Sequence, residues 1–218
     1  MNIYCEFDKI NNKNGNGVIV ETKNYDTLKT TINNVEIKDE YASKKLNKDV
    51  GFYSTIFCEE YNYLINEDFG FISKLLANEI NKVINKVTNK ATLRFFVVGL
   101  GNADITADSL GVNVVNKVIS TSVNLKNGSL SNKNFGDVFS LAPSVASKNG
   151  VYTLSIIKSL VTELKPDVVI VVDSLSCKNI KYICKTFQVN NCGLTPGCEI
   201  GNKQPKIDNS TLKVPVIS

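Results

Sequence analysis

Apolar residues fall along this chain in two rhythms, and the changes from one to the other outline its elements. Phe95-Phe96-Val97-Val98, Val168-Val169-Ile170-Val171-Val172 and Val214-Pro215-Val216-Ile217 contain continuous apolar runs. Such runs lack the polar alternation of a half-exposed strand and read as strands of a parallel sheet covered on both faces. The first is expected over about 94–100 and the second over 168–172. From Asp68 to about Lys90 the rhythm changes. Phe69, Ile72, Leu75, Leu76, Ile80, Val83, Ile84 and Val87 recur at helical spacing, which predicts one long amphipathic helix. Shorter helices are expected over about 108–120, 150–164 and 174–187, followed by a short strand near Val189. Upstream, Gly17–Thr22, Thr31–Ile37 and Gly51–Phe57 have strand character and are separated by Gly and Asn clusters. The polar, Asn/Ser-rich stretch 121–142 reads as a surface excursion.

Strands alternating with helices predict an α/β fold, a mostly parallel sheet flanked by helices on both faces, with a β-rich N-terminal segment. Residues 1–64 are expected to form that segment as part of the same domain, and residues 65–218 the α/β catalytic core. The core reads as truncated, because its last strand ends at Ser218 with no helix or tail to cover it.

The chain has 218 residues, 43% of them hydrophobic, enough for one sizeable core. Its formal charge of +4 is spread out, with lysines among acids and asparagines, and aromatics make up only 8%. Neither a basic stripe nor a stacking platform is present, so no direct nucleic-acid partner is expected. No signal peptide or apolar run of roughly 20 residues is visible, so no membrane partner is expected either, and the localisation expected is cytoplasmic. The six cysteines form no C-x-x-C pair and the chain has no histidine, which removes the usual zinc patterns. The thiols are expected to be reduced, and no metal or other cofactor is expected.

The absence of histidine also narrows the chemistry. Ser144, Ser174 and the cysteines have no imidazole base, so Ser-His and Cys-His triads are excluded, and a Lys-assisted serine remains formally open. Gly99-Leu100-Gly101-Asn102 lacks the third glycine of a dinucleotide fingerprint, since Asp104 stands near that place. Two aspartates remain, Asp108 beyond the first apolar run and Asp173 at the end of the second, where α/β sheets gather their functional groups. Each also has a plainer reading as the cap of the helix that follows it. Asp104 and Asp167 read most simply as loop acids. Carboxyls held within about 3–6 Å share one proton, which suits a general acid and base acting on a water that attacks an amide.

At these residues the chain resembles the germination protease family of spore-forming bacteria. The likeness is carried in order by Val97-Val98-Gly99-Leu100-Gly101-Asn102, Thr106-x-Asp108-x-Leu110-Gly111, Leu141-Ala142-Pro143, Gly150-Val151-x-Thr153, Lys165-Pro166-Asp167 and Asp173-Ser174-Leu175-Ser176. It continues through Gly193-Leu194-Thr195-Pro196-Gly197, Ile200-Gly201-Asn202-Lys203 and Thr211-Leu212-x-Val214-Pro215-Val216-Ile217, and upstream through Lys48-x-x-Gly51-x-Tyr53-x-Thr55-Ile56. The resemblance spans roughly residues 48–218.

What the resemblance implies is an endopeptidase that degrades small acid-soluble spore proteins in the germinating spore core. Such proteins are made as a zymogen and assemble as a homotetramer. It also implies a sandwich fold similar to that of the hydrogenase-maturation peptidases, and essential aspartates at Asp108 and Asp173. Those peptidases bind a metal through carboxylates and a histidine, a set this chain lacks. Gly101 and Asn102 are the candidate substrate-binding residues, through their backbone amides and the Asn102 side chain, for the scissile carbonyl oxygen.

The chain departs from the family pattern at Ser144, where glycine is usual, at Tyr152, and at Ser174, Ser176 and Cys177 after the second aspartate. Two other functions stay open at this level. One is an inactive or truncated relative with a binding or regulatory role in sporulation. The other is a small-molecule hydrolase or phosphorylase with its ligand at the Gly99–Asn102 turn.

Overall fold

The strand-like stretches near the N-terminus pair as an antiparallel sheet in a computed structural model that describes residues 17–122, 136–177, 179–197 and 204–218. β1 (Val18–Tyr25), β2 (Thr30–Ile37) and β3 (Gly51–Cys58) run in chain order. A fourth strand, β7 (Thr186–Asn190), comes from far along the chain and pairs with β3, giving the order β1-β2-β3-β7. Between β2 and β3, α1 (Glu40–Leu46) starts at Asp39, whose carboxylate accepts the Ala42 N–H at 2.8 Å, and stops at left-handed Asn47. The long helix is α2 (Asn66–Val87). It packs Ile72 and Leu75 with Ile32, Ile56 and Phe187 of the sheet.

One charged residue lies inside that apolar stripe. Glu79 is 4% exposed and accepts the Ser54 hydroxyl at 2.8 Å and the Lys82 ammonium at 2.6 and 2.7 Å. The Asn34 amide completes the group when its nitrogen faces inward, 3.2 Å from Glu79 Oε2 and 2.9 Å from Ser54 Oγ.

The three continuous apolar runs form neighbouring strands of a second, wholly parallel sheet. β4 (Phe95–Gly99), β6 (Val168–Val172) and β8 (Val216–Ile217) lie side by side, and β5 (Val138–Leu141) adds the other edge, in the order β5-β4-β6-β8. Phe96 and Val98 stand opposite Val169 and Val171, so these four share one face. α5 (Thr153–Leu164) covers that face with Ile157 and Val161, and α6 (Asn209–Leu212) adds Leu212. α3 (Leu110–Val115) lies on the other face, against Gly99. The fold class is therefore α/β, as the pattern predicts, with helices on both faces of a parallel sheet and an antiparallel sheet preceding it.

Each sheet anchors one compact unit. The first comprises residues 1–87 and 175–192, the second residues 88–174 and 193–218. The chain thus leaves the parallel sheet just after Asp173, contributes β7 to the antiparallel sheet, and returns.

That excursion corrects the helix expected over 174–187. Residues 174–177 have no regular structure, Ile180–Tyr182 make one 3-10 turn, and Thr186–Asn190 are strand. β7 occupies the edge of β3, and Phe187 joins the apolar cluster of Ile32 and Ile56, so tertiary pairing overrides the local helical spacing. Two other helices are shorter than expected. The one expected over 108–120 becomes a 3-10 turn at Thr106–Asp108 and α3. The one expected from 150 begins at Thr153, because left-handed Gly150 first closes α4 (Ala146–Asn149). Within the stretch read as a polar excursion, β5 is a strand too short to stand out, and residues 123–135 lie outside the described residues, as do Cys5, Cys198 and Ile200-Gly201-Asn202-Lys203.

At the amino ends of β4 and β6, Asp167 does more than a loop acid. Its carboxylate accepts the Arg94 N–H at 2.8 Å and pairs with Lys90. The Lys90 hydrogen bond, opposed by burial and helped by the Arg94 amide, holds this carboxyl below the usual range. A depressed native pKa contributes stability above the unfolded value of about 3.9, and that stability is lost as pH falls through the native value. Asp167→Asn is expected to cost about 1 kcal/mol near pH 6. The difference in melting temperature from wild type should close progressively below about pH 4. A gap independent of pH would remove the ionic part of this contact.

Ser144, one departure from the family pattern, stands at a position whose backbone favours glycine. It follows Pro143 with φ +66°, in the left-handed region, which is where a glycine would be unstrained. Ser144→Gly is expected to raise stability by about 0.5–1 kcal/mol, read as a melting temperature higher by about 1–3 °C.

Candidate active site

The carboxyl ends of β4 and β6 build the site. These strands are in register from Phe95↔Val168 to Gly99↔Val172, and the ladder extends by one bond, Leu100 N–H to Val172 O at 2.8 Å. Beyond that bond the strands diverge. β4 runs through Gly101 into a loop that winds back to Asp108, and β6 ends directly at Asp173. Asp108, Asp173, Gly101 and Asn102 thus all lie in the second unit, at one rim of one sheet. Both aspartates are half-buried.

The loop is wound around Asn102. Its side-chain oxygen accepts the Asp104 N–H at 3.1 Å and its carbonyl accepts the Ile105 N–H at 3.1 Å. Its own N–H donates to Asp108 twice, to Oδ2 at 2.9 Å and to the carbonyl at 3.0 Å. Gly101 makes room for this turn with φ +105°. A methyl group there would overlap the Asp108 carbonyl oxygen and stand 3.0 Å from Oδ1. At the second carboxylate, Asp173 Oδ1 accepts the Ser174 N–H at 2.8 Å.

These contacts bear on the plainer readings. Asp108 caps no helix, since α3 begins after Ser109 and has no side-chain capping bond at its start. Asp173 has no helix after it to cap, because residues 174–177 are irregular. The Asn102 amide, a natural anion donor, is already taken by the chain's own carboxylate, which leaves the turn poorly suited to a phosphate. Asp104, read as a loop acid, pairs with Lys148 of α4 across 44 residues of sequence, a contact no local pattern signals. Both partners are substantially exposed, so the pair adds little stability.

Among the described residues, no three His, Cys, Asp or Glu side chains gather to hold a metal ion. No helix among them is long and apolar enough to cross a membrane. No disulfide joins Cys58, Cys177, Cys184 and Cys192.

Comparison with known proteins agrees with the motif likeness. The family model described as Germination protease matches residues 2–218. Among curated relatives, the germination protease of Clostridium perfringens strain 13 is 32% identical over 210 residues, covering 95% of this chain and 63% of that protein. That of Clostridium acetobutylicum is 33% identical over 219 residues, covering 99% and 65%, and that of Oceanobacillus iheyensis is 34% identical over 215 residues, covering 97% and 57%. The chain therefore spans just under two thirds of the length of these relatives. Among solved structures, a NiFe hydrogenase maturation protease from Thermococcus kodakarensis matches 59% of this chain and 72% of its own, at 14% identity and a TM-score of 0.31.

Proposed function

The chain belongs to the germination protease family, and from that premise we propose that it is an endopeptidase that initiates degradation of small acid-soluble spore proteins during germination. Action in the spore core and assembly as a homotetramer belong to the same reading. Asp108 and Asp173 are its acid–base pair.

In the proposed reaction one carboxylate takes a proton from a water molecule, whose oxygen attacks the scissile carbonyl carbon. The other carboxyl gives its proton to the amide nitrogen as the C–N bond breaks. The products are a new carboxyl terminus and a new amino terminus. Gly101 and Asn102, expected from the sequence to hold the scissile carbonyl oxygen, act instead through Asp108, because the Asn102 N–H is engaged by the Asp108 carboxylate and carbonyl and the Asn102 side-chain oxygen by the Asp104 N–H. The Asn102 N–H holds one carboxylate oxygen, and Gly101 leaves space for the other.

The observation that carries this reading is the delivery of two half-buried carboxyls to one rim of a parallel sheet, in a chain without histidine. The rim also lies where α/β sheets place their chemistry. The test is incubation of the purified chain with a small acid-soluble spore protein, beside Asp173→Asn, read by mass spectrometry. Discrete products from the wild type alone are expected. Equal cleavage by both proteins would remove Asp173 from the reaction. No cleavage by the folded wild type would favour the inactive, binding role.

A further inference from the structure

Gly111 touches both strands that carry the aspartates. It is the second residue of α3, three residues past Asp108, and is buried. Glycine in a helix costs about 1 kcal/mol relative to alanine, so its place in this short helix calls for a packing reason. The surroundings supply one. A methyl group on Gly111 would collide with the carbonyl oxygens of Leu100 and Val172 and come within 2.5 Å of Leu100 N. These atoms include the donor and the acceptor of the last bond joining β4 to β6.

Leu100 leads directly into Gly101 and Asn102, which hold Asp108, and Val172 leads directly into Asp173. The fit is reciprocal on the β4 side. A methyl group on Gly99 would overlap the Gly111 carbonyl and stand 2.8 Å from Val115 Cγ2. The first turn of α3 is therefore seated backbone to backbone on the junction from which both carboxyls project.

We propose that Gly111 is a positioning residue for the carboxyl pair. By letting α3 rest on the last β4–β6 bond, it sets the separation between Asp108, on the segment leading into the helix, and Asp173, on the strand beneath it. The inference rests on the reading of these two aspartates as an acid–base pair. Backbone atoms cannot retreat as a flexible side chain can, so an added methyl group must lift the helix start or part the strands. Either movement displaces one carboxyl relative to the other. A misplacement of about 1 Å is enough to cost about 100-fold in rate.

The experiment compares wild type, Gly111→Ala and Gly70→Ala, a control whose added methyl group meets nothing within 4 Å. Gly111→Ala is expected to lower kcat about 100-fold with KM within about threefold, while Gly70→Ala leaves both unchanged. Crystal structures of wild type and Gly111→Ala should show the Asp108–Asp173 carboxyl separation changed by about 1 Å. A folded Gly111→Ala protein with wild-type kcat, or with an unchanged separation, overturns the proposal. If Gly111→Ala does not fold, Val115→Ala, which loosens the seat without a collision, is read instead. A tenfold fall in kcat at constant KM supports the proposal, and unchanged kinetics overturn it. The separation is measured without turnover, so an inactive wild type would count against the peptidase reading and leave this one to be decided by the structures.

Discussion

Asp108→Asn and Asp173→Asn are each expected to lower cleavage by about 10³-fold while leaving the fold intact. The asparagine side chain matches aspartate in size and keeps one oxygen as an acceptor. In the Asp108 variant that oxygen can still receive the Asn102 N–H that now reaches Oδ2 at 2.9 Å. What disappears is the ability to take or give a proton, together with the charge-assisted part of one hydrogen bond, worth about 1 kcal/mol. The expected fall in melting temperature is therefore no more than about 4 °C. Thermal unfolding run beside kcat separates two roles. A melting temperature lowered by about 10 °C with activity retained would assign Asp108 to the loop's architecture and remove it from the chemistry.

The largest stability effect is expected in the first unit. Glu79→Ala should destabilise by about 3 kcal/mol, seen as a melting temperature lower by about 6–12 °C. Glu79 is 4% exposed and organises Ser54, itself 1% exposed, and Asn34, 3% exposed. Truncation leaves these two buried polar groups competing for fewer acceptors, at about 1–3 kcal/mol for each group left unsatisfied. Lys82 is a third exposed and turns to water, which limits the loss. Glu79→Gln keeps an acceptor for Ser54 and is expected to recover most of the difference. An alanine variant melting within about 1 °C of wild type would show that the polar group beneath α2 contributes nothing net.

The sequence announces the fold where burial is continuous and obscures it where a long-range partner decides. Val168–Val172 is apolar at every position because both faces of β6 are covered, and its limits are legible to the residue. The long helix is legible as well, within two or three residues at each end. Its polar guest is not. Glu79 interrupts the stripe, and only the juxtaposition with β2 and β3 reveals why a carboxylate is tolerated there. The excursion after Asp173 is misread for a related reason. Its apolar residues suit a helix locally, but the available edge of β3 lies over a hundred positions upstream.

The site divides in the same way. Asp108 and Asp173 stand out as carboxyls beyond apolar runs and within a family likeness. The grip of Asn102 on Asp108 depends on a loop conformation that spacing does not reveal. Gly111 is visible as a motif letter, while its purpose needs the crossing of a helix over two strand ends.

The return of β7 to β3 also bears on how the molecule comes into being. Tyr53 meets Asn190 and Phe57 meets Thr186, separations of about 130 residues along the chain. During synthesis the antiparallel sheet cannot be completed from its own N-terminal stretch, so β3 emerges from the ribosome with an unpaired, largely apolar edge. It keeps that edge until residues that follow the second aspartate have been made. Pairings this distant slow folding, and an open apolar edge invites pairing between chains while they wait. Maturation is therefore nonvectorial, and the completed β7 closes the first sheet on the same stretch of chain that leads away from Asp173.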